Sequence, residues 1–220
     1  MDRRHALADT PGERYQNRYR TVVLGHPTGT DLAPLVEAGV CRDDDDGPEP
    51  MMGYRFSAFT RSRTDPGGLS LRVRAGCLSD ARFFTNTVHI ETRPLCDENR
   101  SWLTLPLLKA AMLAIVTTCD VTWAAIYPAE LRELWIPAHV RRGPTFQLAW
   151  VTYLSPRFAP MVTPPASAIV EHTAQRGIVM AATNDRFDVN NPAHLAAARE
   201  IEAAIAPVNA LPWPPDAIPG

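Results

Sequence analysis

The stretch Ser101–Thr118, SWLTLPLLKAAMLAIVTT, decides the reading of this chain. Ser101 or Thr104 can cap a helix, Pro106 is tolerated in its first turn, and the apolar residues that follow are too many for a narrow amphipathic stripe. The spacing predicts a long helix with a broad apolar surface, laid centrally against a sheet. Pro106 and Lys109 interrupt the run, which falls short of the ~20 apolar residues that span a bilayer. A buried helix of a soluble protein is the expectation, with no membrane partner.

Working back from this helix, three segments carry strand chemistry: Gly53–Thr60, Leu69–Gly76 and Thr85–Thr92. In Leu69-Ser-Leu-Arg-Val-Arg-Ala the leucines and Val73 alternate with Ser70, Arg72 and Arg74, so one face is core and the other wet. The first two segments are joined through Asp65-Pro66-Gly67-Gly68, strong turn chemistry for an antiparallel connection, and the three read as a meander. Residues 1–50 read as a helical or irregular segment ending in the loop CRDDDDGPEP, where Asp43, Asp44, Asp45, Asp46 and Glu49 crowd beside glycine and proline.

Working forward, Asp120–Tyr127 and Phe146–Leu154 read as buried strands separated by the helical turn AELREL, and Ala168–Thr173 with Gly177–Thr183 as a hairpin around Gln175-Arg176. Asn191 can cap a last helix that has Pro192 at its first position and Leu195, Ala198, Ile201 and Ile205 along one face. Strands and helices are segregated instead of alternating as βαβ units, so the expected class is α+β: a mostly antiparallel sheet packed against the central and C-terminal helices in a single domain. That domain is placed at 51–216, after the N-terminal segment 1–50 and before a short tail, 217–220.

At 220 residues such a unit buries enough apolar surface to stand without disulfide or metal. Cys41, Cys77, Cys96 and Cys119 show no C-x-x-C and no histidine at zinc spacing, and read as free thiols of a reducing compartment. The first twenty residues hold charge but no apolar run of a secretory leader, so the expected location is the cytoplasm. A formal net charge of −2 offers no general attraction for nucleic acid. Lys109 is the only lysine among 22 basic residues, and no glycine-rich phosphate loop precedes it.

The sharpest enzymatic lead is His89-Ile-Glu91, the H-x-E spacing of zinc deaminases, but no P-C-x-x-C follows it. The plainer reading makes His89 and Glu91 the polar face of a strand whose core face carries Val88 and Ile90. The stretch NDRFDVNN has calcium-like aspartates and asparagines yet lacks the glycine and terminal glutamate of an EF-hand, leaving turn formation and helix capping to explain it. No serine elbow, nucleotide fingerprint or cysteine nucleophile context appears. No catalytic, cofactor or metal residue is therefore expected. Binding is left as the function class, with Asp43, Asp44, Asp45, Asp46 and Glu49 as an anionic contact for a basic partner or simply a solvated loop, and Trp135 as an aromatic anchor or a residue of this chain's own core. Trp213 invites the same two readings.

The segments AWVTYLSPRFAP (149–160) and NDRFDVNNPAHLAAAREIEAAIAPVNALPWPPD (184–216), with LSLRVRAG, NTVHIETRP and LLKAAMLAIVTTCDVTWA before them, resemble immunity protein family 52 of bacterial polymorphic toxin systems. The resemblance covers about residues 53–216. It implies an antitoxin-type protein, in a type VI secretion context, whose partner is a restriction-endonuclease-like nuclease toxin; a homodimer is compatible with it. The rival readings are a small intracellular enzyme with an unrecognised Cys/His or carboxylate site, and an adaptor or chaperone that carries the toxin without protecting the cell.

Overall fold

Asn191 accepts the amide hydrogen of Ala193 at 3.0 Å and starts the C-terminal helix where Pro192 cannot donate, so the cap and the proline satisfy the same terminus. In this computed structural model, which describes residues 29–59, 68–76, 86–134 and 148–211, five helices and seven strands are seen among those residues. In chain order they are α1 (Gly29–Ala38), β1 (Tyr54–Phe59), β2 (Leu69–Ala75), β3 (Thr87–Thr92), α2 (Asp97–Arg100), α3 (Leu105–Thr118), β4 (Trp123–Ile126), β5 (Val151–Leu154), β6 (Ile169–His172), β7 (Ile178–Ala181), α4 (Pro192–Ala204) and α5 (Ala206–Asn209). The α+β class and the antiparallel pairing expected from the sequence are both found. The strands, however, divide between two sheets.

The smaller sheet is the meander β1-β2-β3. Its registers set Phe56 against Val73 and Leu71 against Ile90, which gathers Tyr54, Phe56, Leu71, Val73 and Val88 on one half-buried face. Ile90 shares that face but stays 46% exposed, so the core position assigned to it from alternation is filled only in part. The turn Asp65-Pro66-Gly67 lies outside the described residues.

The larger sheet runs β4-β5-β7-β6, with every neighbouring pair antiparallel. All four residues of β5 and all four of β7 are buried, which requires cover on both faces and explains why VTYL and IVMA read as continuous apolar runs instead of alternating. Of the strand expected over 146–154, residues 151–154 form β5 and 148–150 lie outside it, while 146 and 147 are not among the described residues. In the hairpin between β6 and β7, Arg176 takes the left-handed φ of 69°, the Thr173 amide donates to the Gly177 carbonyl, and Gly177 donates to the Thr173 hydroxyl. A Cβ on Gly177 would stand 2.7 Å from the Tyr153 ring, so this turn packs directly onto β5.

Two helices cover the larger sheet. From α4 come Ala197, Ala198 and Ile201, and from the turn after it Ile205, all in the principal core with Leu154, Ile178 and Met180. From α3 come Leu105, Met112 and Val116, spaced i, i+7 and i+11 along one stripe. The apolar surface of α3 is broader than that stripe, and Leu107 remains 48% exposed. Lys109 donates to the Glu171 carboxylate, tying α3 to β6 at the sheet edge. Arg186 reaches from the NDRFDVNN turn to the carbonyls of Arg100 and Leu103, holding the entry of α3 against the C-terminal half. Among the described residues, no small-sheet side chain belongs to this principal core.

Candidate protein interface

The acidic loop is built as a hairpin on the edge of β1. Gly39 follows α1 and accepts the Arg55 amide at 2.7 Å, Cys41 donates to the Gly53 carbonyl at 2.9 Å, and Glu49 donates back to Cys41 at 2.7 Å. Isolated bridges pair Val40 with Tyr54 and Arg42 with Pro48. Gly39 sits so close to β1 that a Cβ there would lie 2.0 Å from the Arg55 carbonyl oxygen, and Gly53 takes a φ of 77°. Only glycine suits such an approach or such a dihedral without cost.

At the tip the carboxylates have different duties. Asp43 points back into its own turn, accepting amide hydrogens from Gly47 at 2.7 Å and Asp45 at 3.1 Å. Asp46 adopts the left-handed φ of 67°, which aspartate tolerates better than most residues. Its carboxylate lies 4.0 Å from the Arg42 guanidinium, which also donates to the Asp46 carbonyl. Glu49 is half-buried and accepts the Met51 amide. That leaves Asp44 and Asp45 with carboxylates that project outward and bond to no other described residue. Of the five acids that the sequence groups together, three hold the loop and two are presented by it. Trp135 and Trp213 lie outside the described residues.

His89 stands opposite Arg72 across β2 and β3, and Glu91 pairs with the Arg72 guanidinium. Cys41 is buried, Cys96 half-buried and Cys119 exposed, and each is a free thiol; Cys77 lies outside the described residues. Among the described residues no group of three or more His, Cys, Asp or Glu side chains is placed to hold a metal ion. In NDRFDVNN, Asp188 accepts the Asn190 amide and Asn191 caps α4, so these acids and amides serve turns as expected. Among the described residues no helix is long and apolar enough to cross a membrane.

Sequence reading passed over one feature of this region. The face of the small sheet opposite its apolar side carries Arg55, Arg72, Arg74, His89 and Glu91, brought together by the register of three strands. Arg72 and Arg74 are visible on a wet face in the sequence, but no local signal places Arg55 beside them.

A sequence model of immunity protein 52 matches residues 19–211, a span that takes in the acidic hairpin, both sheets and α4. The chain belongs to the immunity protein 52 family. Membership in this family gives it an immunity role, which implies a toxin as its partner. The match begins well before the meander, so α1 and the hairpin on β1 fall inside the matched span instead of before it. A search of curated proteins finds no match.

Proposed function

We propose that this immunity protein neutralises a secreted nuclease toxin in the cytoplasm by binding it stoichiometrically, with no chemical step, as part of a polymorphic toxin system served by type VI secretion. The observation that carries the reading is the acidic hairpin. Asp43 and the Arg42–Asp46 pair fix the turn, so Asp44 and Asp45 are held outward before any partner arrives. A loop ordered in advance loses less conformational entropy on binding than one that must be ordered in the complex.

A nuclease presents a basic surface to its polyanionic substrate. Carboxylates directed at such a surface speed encounter and select the partner more than they add raw affinity. Asp44 and Asp45 are the contacts in this reading, Asp43, Asp46 and Glu49 shape the loop that carries them, and Trp135 is an aromatic anchor. The nuclease identity of the toxin and the secretion route rest on the likeness of the sequence to this family.

The test is growth of cells expressing the toxin encoded beside this gene, with and without the immunity protein, followed by pull-down of the pair. Rescue together with a one-to-one or two-to-two complex supports the proposal. A complex without rescue makes the protein a toxin adaptor, and absence of both sinks the reading.

A further inference from the structure

Two hydrogen bonds at the β1 edge fix which way every strand of the small sheet directs its backbone. Arg55 donates to the Gly39 carbonyl and Cys41 to the Gly53 carbonyl, so the main-chain groups of Arg55 and Gly53 point away from β2. In an antiparallel strand the amide and carbonyl of one residue share a side, and the side alternates along the chain. Tyr54, Phe56 and Ala58 therefore bond Ala75, Val73 and Leu71, and the register carries the alternation onward: Arg74, Arg72 and Ser70 bond Thr87, His89 and Glu91. Val88, Ile90 and Thr92 direct their amides and carbonyls outward, and among the described residues no strand pairs with that edge.

Edge strands are normally kept from pairing with another chain by proline, lysine or a bulge. The segment Thr87–Thr92, TVHIET, has neither proline nor lysine, and its register with β2 runs without a bulge. Its side chains divide between the two faces of the sheet, Val88 and Ile90 on the apolar one, His89 and Glu91 on the polar one beside Arg72. Ile90 is 46% exposed, with no described strand flanking it on its open side.

We propose that β3 pairs antiparallel with β3 of a second copy of this chain, across a two-fold axis at Ile90, joining the two meanders into one continuous sheet. Outward-facing residues must meet outward-facing residues, which limits the registers to those that differ by a slide of two positions. With Ile90 on the axis, His89 stands opposite Glu91 of the second copy, and Glu91 opposite its His89. These are the non-hydrogen-bonded positions, where side chains approach most closely, and an imidazole N–H donates to a carboxylate in either protonation state. Sliding the axis to His89 sets imidazole against imidazole and loses both complementary pairs. Glu91 keeps 56% of its side-chain exposure while paired with Arg72, which leaves room for a second donor. The axis is perpendicular to the sheet, so the two apolar faces fall on one side and the two Ile90 side chains cover each other. A second copy is favoured over a toxin strand as the occupant because His89-Ile90-Glu91 is complementary to itself in this register. The acidic hairpin is bonded to β1, the opposite edge, so the dimer leaves it clear and the inference stands apart from the toxin reading.

The experiment is sedimentation velocity on the purified full chain over a concentration series, without toxin. One short strand makes a small interface, so a dimer with a Kd of about 1–100 μM is expected. Ile90→Pro removes an outward amide and no bond inside the sheet, and should weaken the dimer about tenfold or more. His89→Glu and Glu91→Lys, each checked for an unchanged melting temperature, should each self-associate less than the unmodified chain, because like charges then face across the axis. Mixed in equal amounts they should form a dimer again, since the introduced carboxylate meets the introduced ammonium; misfolding of either variant would not produce that recovery. A chain that stays monomeric up to about 1 mM overturns the proposal. A dimer indifferent to all three variants overturns it as well, because its interface then lies elsewhere. Loss of toxin binding in Ile90→Pro from a chain that is monomeric alone would assign the edge to a toxin strand and overturn it too. Rescue and pull-down with the toxin are read separately, so the immunity reading stands or falls without this result.

Discussion

The Asp43 carboxylate accepts the Gly47 amide at 2.7 Å, and a Cβ on Gly47 would stand 2.9 Å from the other oxygen of that carboxylate. The two residues close the acidic hairpin from opposite ends, one supplying the acceptor and the other the room for it. Four consecutive aspartates are thus not equivalent.

Replacing Asp43 by alanine removes both turn bonds and should lower stability by about 1 kcal/mol, the usual cost of losing a side-chain cap on backbone amides. Replacing Asp44 and Asp45 together by asparagine should leave stability within about 0.5 kcal/mol, because neither side chain holds the fold, while slowing association with the toxin at low salt. Urea denaturation and association kinetics on the two variants separate the roles. Equal losses of stability would show that the division of labour in the hairpin is wrong.

Gly39→Ala tests the attachment of the hairpin to β1. With the added Cβ 2.0 Å from the Arg55 carbonyl oxygen, the backbone has to move, and the Arg55–Gly39 and Cys41–Gly53 hydrogen bonds are strained with it. A loss of about 2 kcal/mol or more is expected, together with faster amide exchange at Cys41 and Arg55. Unchanged exchange at both amides would mean that the hairpin is held by something else.

Elements of this fold that rest on neighbours in sequence are legible in it, and those that rest on distant neighbours are not. Asn191 and Pro192 announce α4 because cap and proline act within one turn, and Thr173 to Gly177 announce a hairpin because its bonds are local. The meander is readable from alternation in LSLRVRA. The division into two sheets is not, because β5 lies between β4 and β7 through long-range pairings that alternation does not specify. The same holds at the candidate interface. Nothing in DDDD marks Asp43 as the residue that turns inward, and nothing near Arg55 states that it will face Arg74. Loop geometry and strand register supply those facts.

Asn99 is fully buried and spends its amide on three partners. Its oxygen accepts the Cys96 amide at 2.9 Å, and its nitrogen donates to the carbonyls of Arg93 and Pro94 at 3.2 and 3.0 Å. The side chain thereby stitches the end of β3 to α2. Asn99→Ala removes all three bonds of a fully buried side chain and should cost about 3 kcal/mol. Asn99→Asp keeps the acceptor for Cys96 but sets a carboxylate against two carbonyl oxygens, so it should be at least as damaging at neutral pH and milder in acid, where a protonated carboxyl can donate again. Chemical denaturation at both pH values decides this, and an Asp variant as stable as the parent at neutral pH would refute the assignment.

Tyr153 supplies the alkaline limit. Burial in β5 pushes its phenol above the ordinary value near 10, and the negative charge of Asp120 pushes in the same direction. The folded protein therefore keeps a proton that the unfolded chain releases once the pH passes about 10, the ordinary phenol value. This contribution is fully present below pH ~10 and is lost as the pH climbs from there through the folded value, because the unfolded state then binds fewer protons than the folded one. Tyr153→Phe should sit within about 1 kcal/mol of the parent at pH 7 and lose less stability than the parent between about pH 9 and 11. Parallel pH-stability curves for the two proteins would remove Tyr153 from the explanation and leave the other ionisable groups to account for any alkaline unfolding.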